Sequence, residues 1–299
     1  MARLSLQEQV IKIASGSGSR TQRLEDLVYM LGLPVRDALN ALDTYKPTRT
    51  PRTPKHVTFG VEIECVNVIQ SLLQEKVSAK GVNIQSERYN HIDHKTHYKV
   101  VADASICGSN TAEVVSPILS GKSGLESLKI VCDALNEIGA TVNRSCGVHV
   151  HLDAKDMTIK HWRNLYINYA RLENIIDSFM PQSRRANNNG YCRSIALMPR
   201  LEATILHCDN TEQIRSFFAS RYYKINVESL RRHGTVEFRQ HGGSIDFEKI
   251  SMWVSFLQKL LAYSKNNTVE NCTTINDVPF LNKQEKQYFK NRINQLAVA

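Results

Sequence analysis

The chain has 299 residues, of which 42% are hydrophobic and 22% are charged, so it can bury a sizeable core and has the composition of a globular protein. Its apolar runs are too short to span a membrane, and its N-terminus has no apolar signal-peptide core. The seven cysteines are scattered and never spaced C-x-x-C. This argues against a disulfide scaffold or a cysteine zinc cluster and predicts a cytoplasmic protein.

The net charge of +9, from 38 basic and 29 acidic residues, favours anionic partners such as nucleotide phosphates, nucleic acid or an anionic glycan. Residues 1–45 are predicted to form a small helical appendage, with helices over 4–14, 21–31 and 34–43. Residues 46–56 follow as a basic, Pro/Thr-rich linker. Two interpretations of this region stay open: a packing appendage, or a helix-turn-helix that binds nucleic acid through the basic linker.

Residues 57–299 are predicted to form one α+β domain with a largely antiparallel sheet, because the predicted strands do not alternate regularly with helices. Strands are expected near 57–68, 86–90, 97–102, 111–116, 141–152, 221–229 and 234–241, the last two as a hairpin. Helices are expected near 123–138, 158–180, 246–264 and 283–296. A polar loop over 182–193 contains Arg184, Arg185 and Arg193 and is a candidate contact for an anionic substrate.

Three predicted strands each carry two chemically strong side chains at positions i and i+2, with apolar neighbours. The pairs are Glu62 and Glu64, His149 and His151, and Glu237 and Arg239. Successive strand side chains point to opposite faces, so each pair shares a face. A single such pair is typical of the solvent face of a sheet. Three of them, together with Glu113 on a fourth predicted strand, indicate a common polar surface.

Carboxylates with imidazole favour Mg²⁺ or Mn²⁺, whereas a structural zinc site would need more histidine or cysteine. Arg239 shares its strand face with Glu237, and Arg221 begins the preceding predicted strand. Guanidinium groups beside a divalent cation are what a transferring phosphoryl group requires. The nucleophile-elbow, Walker A and Rossmann glycine patterns are absent from the sequence.

Taken together, these motifs resemble the amidoligase family, which is related to glutamine synthetase and glutamate–cysteine ligase. The resemblance covers residues 56–250, and the motifs occur in the order of the family. They are Thr58-Phe59-Gly60-Val61-Glu62-Ile63-Glu64, Asp103-Ala104-Ser105, Glu113-Val114-Val115-Ser116-Pro117, Cys146-Gly147-Val148-His149-Val150-His151, Arg221-Tyr222 with Asn226, and Thr235-Val236-Glu237-Phe238-Arg239-Gln240-His241.

The resemblance implies a curved, mostly antiparallel sheet with outer helices, like the catalytic domain of glutamine synthetase, over residues 57–299. It also implies ATP, Mg²⁺ or Mn²⁺, and amide formation between a carboxylate and an amine. The implied cation ligands are Glu62, Glu64, Glu113, His149 and Glu237. The implied contacts to ATP or an acyl-phosphate are His151, Arg221, Arg239 and Asn226.

The sequence departs from the family at Asp103-Ala104-Ser105, where the family usually has Asp-Gly-Ser. We assign Asp103 as the group that takes a proton from the attacking amine. The number of cations stays open between one and three. The expected function is ATP-dependent ligation of small-molecule or peptide substrates through an acyl-phosphate. The alternatives are a phosphotransferase resembling guanidino kinases, a nucleic-acid-binding protein, and a non-catalytic scaffold.

Overall fold

A computed structural model of the protein describes residues 5–14, 20–44, 57–88, 90 and 96–298. The chain divides into two units, residues 1–49 and residues 50–299. The predicted linker at 46–56 lies outside the described residues. None of the helices in the described part combines the length and the apolar character that crossing a bilayer requires.

Over residues 5–14 and 20–44, the first unit forms the helices α1 (Leu6–Ala14), α2 (Arg20–Glu25) and α3 (Val35–Thr44), and a π-helical segment, Asp26–Met30, that continues α2. Leu27 and Leu42 are buried in its small core together with Ala14 and Ala38. The helical spacing of apolar residues in the sequence is what predicted the helices of this unit. The helix predicted over 21–31 corresponds to α2 followed by the π-helical segment. It begins at Arg20, one residue earlier than predicted.

In the second unit, the part of the chain that the structure describes contains seven strands: β1 (Phe59–Cys65), β2 (Ile84–Ser86), β3 (Tyr98–Val101), β4 (Ala112–Val115), β5 (Gly147–Asp153), β6 (Ile225–Asn226) and β7 (Thr235–Gly242). They form one open sheet in the order β2-β3-β4-β1-β5-β7-β6. Only the pair β2 and β3 is parallel. The predicted α+β class with a mostly antiparallel sheet is confirmed.

The described residues of this unit form the α-helices α4 (Gln70–Ser78), α5 (Gly121–Glu137), α6 (Ile159–Ser178), α7 (Leu201–His207), α8 (Thr211–Phe218), α9 (Ser229–His233), α10 (Phe247–Ser264) and α11 (Lys283–Ala297). The core joins α5, α6 and α10 to the apolar face of the sheet, where Val61 and Ile63 alternate with Glu62 and Glu64 along β1. Removing this apolar face from water is the main stabilising contribution. The opposite face carries the polar pairs.

The strand predicted over 221–229 is wrong except for the two residues of β6. The side-chain oxygen Oδ1 of Asn226 accepts a hydrogen bond from the backbone N–H of Glu228 at 2.8 Å. Such a bond favours a turn over continued strand pairing, and α9 follows directly. The predicted hairpin of two long strands is therefore a short strand, a helix and β7. The strand expected at 86–90 lies instead at 84–86, and α4, α7, α8 and α9 were not predicted.

Candidate active site

The three pairs lie on strands that are neighbours in the sheet. Glu62 of β1 is the direct cross-strand partner of His149 of β5. His151 of β5 is the partner of Glu237 of β7. On the other side of β1, Glu64 is the partner of Glu113 of β4. Directly opposed residues share a face, so the expectation of one common polar surface is met.

One group of potential cation ligands surrounds the Nδ1 atom of His149. Oε2 of Glu62 lies 2.9 Å from this nitrogen, and Oε1 of Glu237 lies 3.8 Å from it. Burial opposes ionisation of Glu62, but the hydrogen bond to His149 and the neighbouring His151 hold the pKa of Glu62 well below its ordinary value. Glu62 is therefore ionised at neutral pH, which suits it to bind a cation.

A second group lies on the other side of the same imidazole ring. Nε2 of His149 is 3.7 Å from Oε1 of Glu64, and one ligand atom each of Glu64, Glu113 and His149 lie within 4.8 Å of one another. Oε2 of Glu64 accepts a hydrogen bond from the backbone N–H of Gly147 at 2.5 Å. Burial and the nearby charges of Glu62 and Glu64 raise the pKa of Glu113 well above its ordinary value.

Arg239 lies on the polar face with Glu237, at the point where β7 becomes irregular opposite His149. The register passes from Phe238 opposite Val150 to His241 opposite Val148, so β7 holds an extra residue there. The Arg239 guanidinium pairs with Oε1 of Glu237. Burial opposes the charge of Arg239, but Glu237 and Glu62 raise its pKa.

Asn226 completes the surroundings of Glu237. Its side-chain amide, which is buried, donates to Oε2 of Glu237 at 2.6 Å. Burial disfavours the charge of Glu237, yet Arg239 and His151 lower the pKa of this carboxyl. Asn226 therefore contacts a predicted cation ligand directly. Because β6 is the edge strand next to β7, Asn226 lies on the side of Glu237 away from β5 and β1.

His151 borders a pocket on the same face. Its Nδ1 atom lies 3.0 Å from the hydroxyl of Thr235, and its Nε2 atom lies 3.3 Å from Oε1 of Glu62 without the alignment of a full hydrogen bond. The pocket has a cavity volume of about 110 Å³ and combines basic groups with apolar ones. Residues lining it include Glu62, His97, Lys99, Val115, Pro117, Ile118, His151, Lys155 and His233. Neither Lys99 nor Lys155 was predicted from the sequence.

Two of the predicted residues lie at the margin of the site. Arg221 is exposed and places its guanidinium 5.1 Å from the ring centre of Tyr222. The same ring is 5.9 Å from the guanidinium of Arg239. Asp103 is half-buried, and its Oδ1 atom accepts from the N–H of Ser105 at 2.7 Å. Its charge is close enough to raise the pKa of Glu113.

A buried ion-pair network, also missed from the sequence, holds the polar loop beside the site. Nζ of Lys224 is 2.8 Å from Glu173 and 2.7 Å from Asp177, and Lys224 is fully buried. Asp177 accepts the backbone N–H of Ala186 within the loop, and Glu173 accepts those of Ile195 and Ala196 just after it. The loop backbone at Tyr191 in turn accepts from Nε of Arg239 at 3.2 Å. A buried lysine just before a strand is a weak sequence signal, because its carboxylate partners lie far away in the chain.

The donor atoms of the site fit hard divalent cations. Both groups offer carboxylate oxygens with one shared imidazole and no thiolate, which is the donor chemistry of Mg²⁺ or Mn²⁺. Glu113 supports this fit, because like charges already oppose its ionisation and a cation would relieve them. His149 offers a different nitrogen to each group, so the two groups flank a single ring.

Comparison with known proteins identifies the family of this chain. No curated protein sequence matches the chain. A family model described as "Putative amidoligase enzyme" matches residues 55–261, which include all the strands of the sheet and every residue of the candidate site. The match supports an enzyme of the ligase type. The chain therefore belongs to the amidoligase family.

Proposed function

We propose that the protein is an ATP- and Mg²⁺- or Mn²⁺-dependent carboxylate–amine ligase that works through an acyl-phosphate. The observation that carries the proposal is the convergence of Glu62, Glu64, Glu113 and Glu237 around His149, next to Arg239, in a member of the amidoligase family. The proposal includes the likeness of the sheet and its covering helices to the catalytic domain of glutamine synthetase. It also places the protein in the cytoplasm.

The proposed reaction has two steps. An oxygen of the substrate carboxylate forms a bond to the γ-phosphorus of ATP, and ADP leaves. The amine nitrogen then bonds to the acyl carbon, the bond from that carbon to the phosphate oxygen breaks, and inorganic phosphate leaves with the electron pair. One proton of the amine must be lost, and we assign its removal to Asp103. Bound Mg²⁺ or Mn²⁺ would supply charge that offsets the repulsion between the phosphates and the carboxylate.

The position of each residue in the site determines its proposed role in this reaction. Glu62, His149 and Glu237 would hold one cation, and Glu64 and Glu113 would hold another. Arg239 is fixed by Glu237 and by the carbonyl of Tyr191, so its guanidinium is preorganised for a phosphoryl oxygen. Arg221 lies further out, across the ring of Tyr222.

The pocket beside His151 is the proposed site of the nucleotide. Lys99 and Lys155 line it and offer positive charge for phosphates, while Val115, Pro117 and Ile118 offer an apolar wall for a base. Glu62 lines this pocket, so a nucleotide there would reach the first group of cation ligands with its phosphate end. The pocket is therefore one end of the proposed site. The other end is the beginning of β5, at Gly147.

The test is ADP release from ATP by the full-length protein with Mn²⁺ and pools of carboxylates and amines. Small metabolites and peptides, including anionic ones, are the substrates to try. Ligation predicts that ADP and inorganic phosphate accumulate only when a carboxylate and an amine are both present. Formation of a stable phosphorylated product without an amine would identify a phosphotransferase instead. Nucleic-acid binding that is lost on deletion of residues 1–55, without any ATP turnover, would reject both enzymatic functions.

A further inference from the structure

A second, smaller cavity lies on the other side of the sheet, between β7, α10 and α11. Its wall includes His241 of β7, Lys249 and Trp253 of α10, and Tyr288 and Arg292 of α11. His241 is the cross-strand partner of Val148, a core residue, so it lies on the apolar face of the sheet, away from the polar pairs. The cavity is therefore separate from the candidate active site.

Two hydrogen-bond donors in this wall lack an acceptor. Trp253 is 1% exposed, and its indole Nε1 has no hydrogen-bond partner among the described residues. Arg292 is half-buried, and within the same part of the chain it has no hydrogen bond and no carboxylate within ion-pair distance. Burial lowers the pKa of Arg292. An indole N–H and a guanidinium can only donate, and both normally find a partner when they are buried.

Two acidic residues lie nearby, but neither lines the cavity. Nζ of Lys249 is 3.5 Å from Oδ2 of Asp246, and both side chains of this pair are partly exposed. Asp246 is close enough to raise the pKa of Arg292, and Glu248 is close enough to raise that of Tyr288. With one carboxylate set loosely against Lys249 and none paired with Arg292, the wall carries a net positive charge.

The size of the cavity selects its ligand. Its volume is about 10 Å³, close to the space that one water molecule needs. A monatomic ion fits this space, whereas tetrahedral sulfate or phosphate does not. Lys249 and Arg292 are only partly buried, so an ion can enter past their side chains. We propose that the cavity binds one chloride ion, which accepts hydrogen bonds from Arg292, Lys249 and the indole N–H of Trp253.

A water molecule meets these requirements less well than chloride. It has only two lone pairs for the donors of the wall, and it leaves the charge of Arg292 without a counterion. Chloride accepts from all of the donors and supplies the missing negative charge. The ion would join α11 to β7, the strand that carries Glu237 and Arg239. α11 lies outside residues 55–261, which the family model matches, and the ion would take no part in the ligase reaction.

Protonation of His241 is linked to the proposed site. Its Nδ1 atom donates to the carbonyl oxygen of Gly242 at 2.6 Å, so Nε2 carries a hydrogen only when the ring is charged. A bound anion favours the charged ring, so chloride should bind more tightly as the pH falls. The basic groups that act on His241 are Arg292, Lys249 and Arg184, and all three keep their charge in this range.

Line broadening of the ³⁵Cl resonance by the full chain, with gluconate keeping the ionic strength constant, tests the proposal. Wild-type protein should give an excess line width that saturates as chloride rises, with several-fold tighter binding at about pH 5.5 than at about pH 7.5. Arg292→Gln should weaken binding by about tenfold or more, as expected for the loss of a charged hydrogen bond. Lys290→Gln removes a positive charge from the same helix outside the cavity and should keep the wild-type affinity.

An excess line width that does not saturate, or one that is equal in wild-type protein and Arg292→Gln, would mean that the cavity holds water only and would overturn the proposal. If Arg292→Gln fails to unfold cooperatively, Lys249→Gln replaces it. Its affinity for chloride should fall several-fold, and an unchanged affinity counts against the site. His241→Gln should make chloride binding less dependent on pH, and an unchanged dependence would contradict the link to His241.

Discussion

Glu62 and His149 are direct cross-strand partners on β1 and β5, and Oε2 of Glu62 lies 2.9 Å from Nδ1 of His149. This contact ties together two side chains that are 87 residues apart in sequence. It also orients the imidazole so that its other nitrogen, Nε2, faces Glu64. The orientation of one ring thus sets the geometry of both groups of potential cation ligands.

Glu62→Gln should weaken Mn²⁺ binding by about tenfold or more, because the variant loses a charged ligand and the acceptor that orients His149. ADP release under the conditions proposed above should fall with it. Electron paramagnetic resonance of free Mn²⁺ measures the affinity directly. Glu126→Gln, which changes an exposed glutamate paired with Lys122, is the control and should leave Mn²⁺ binding unchanged. Full activity with intact Mn²⁺ binding in Glu62→Gln would show that the ligand assignment is wrong.

Arg239→Lys should lower the turnover number by about a hundredfold, because a lysine cannot reproduce the planar fork held by Glu237 and the carbonyl of Tyr191. Mn²⁺ affinity should change little, since the ligands remain. Steady-state kinetics with the best carboxylate–amine pair gives the turnover number. Arg185→Lys serves as the matched control. A change confined to the Michaelis constant for ATP would mean that Arg239 binds the nucleotide without stabilising the transition state.

Lys224→Met should destabilise the fold by about 3–5 kcal/mol, because it leaves Glu173 and Asp177 buried without their cation. Denaturation by urea measures the free energy of unfolding. Lys129→Met, which breaks an exposed pair with Asp133 on one helix, should cost only about 0.5 kcal/mol. Equal effects of the two substitutions would show that the buried network contributes no more than a surface ion pair.

Stability should decline in mild acid because of His241. Burial, opposed by its hydrogen bond to the carbonyl of Gly242, lowers the pKa of His241 to about 4, and the basic groups near it are Arg292, Lys249 and Arg184. The folded-state pKa lies below the unfolded value of about 6.5, so the contribution is complete above pH 6.5 and is lost as the pH falls through about 4. The free energy of unfolding should fall by up to about 1.4 kcal/mol per pH unit in this window.

Urea denaturation across this pH range, compared between wild-type protein and His241→Gln, isolates the contribution of His241. The variant has no titrating imidazole at this position, so its free energy of unfolding should depend less steeply on pH between about 6.5 and 4. Identical slopes for the two proteins would mean that His241 is not buried in its neutral form.

The sequence by itself determined the local features of this protein. The two-residue periodicity around Glu62, His149 and Glu237 placed each polar pair on one face of a strand, and the ordered motifs indicated the amidoligase family. Helical periodicity located α5, α6, α10 and α11 closely. These signals depend on neighbouring residues and on the alternation of side chains along a backbone, so they need no knowledge of distant contacts.

Only the tertiary structure decided which strands are neighbours, and hence which side chains meet. The order β4-β1-β5-β7 places Glu113, Glu62, His149 and Glu237 within one site, and no local pattern specifies it. The extra residue of β7 and the burial of Lys224 with its two carboxylates depend on contacts between segments that are distant in sequence. Such contacts follow from packing the whole domain, which sequence periodicity does not encode.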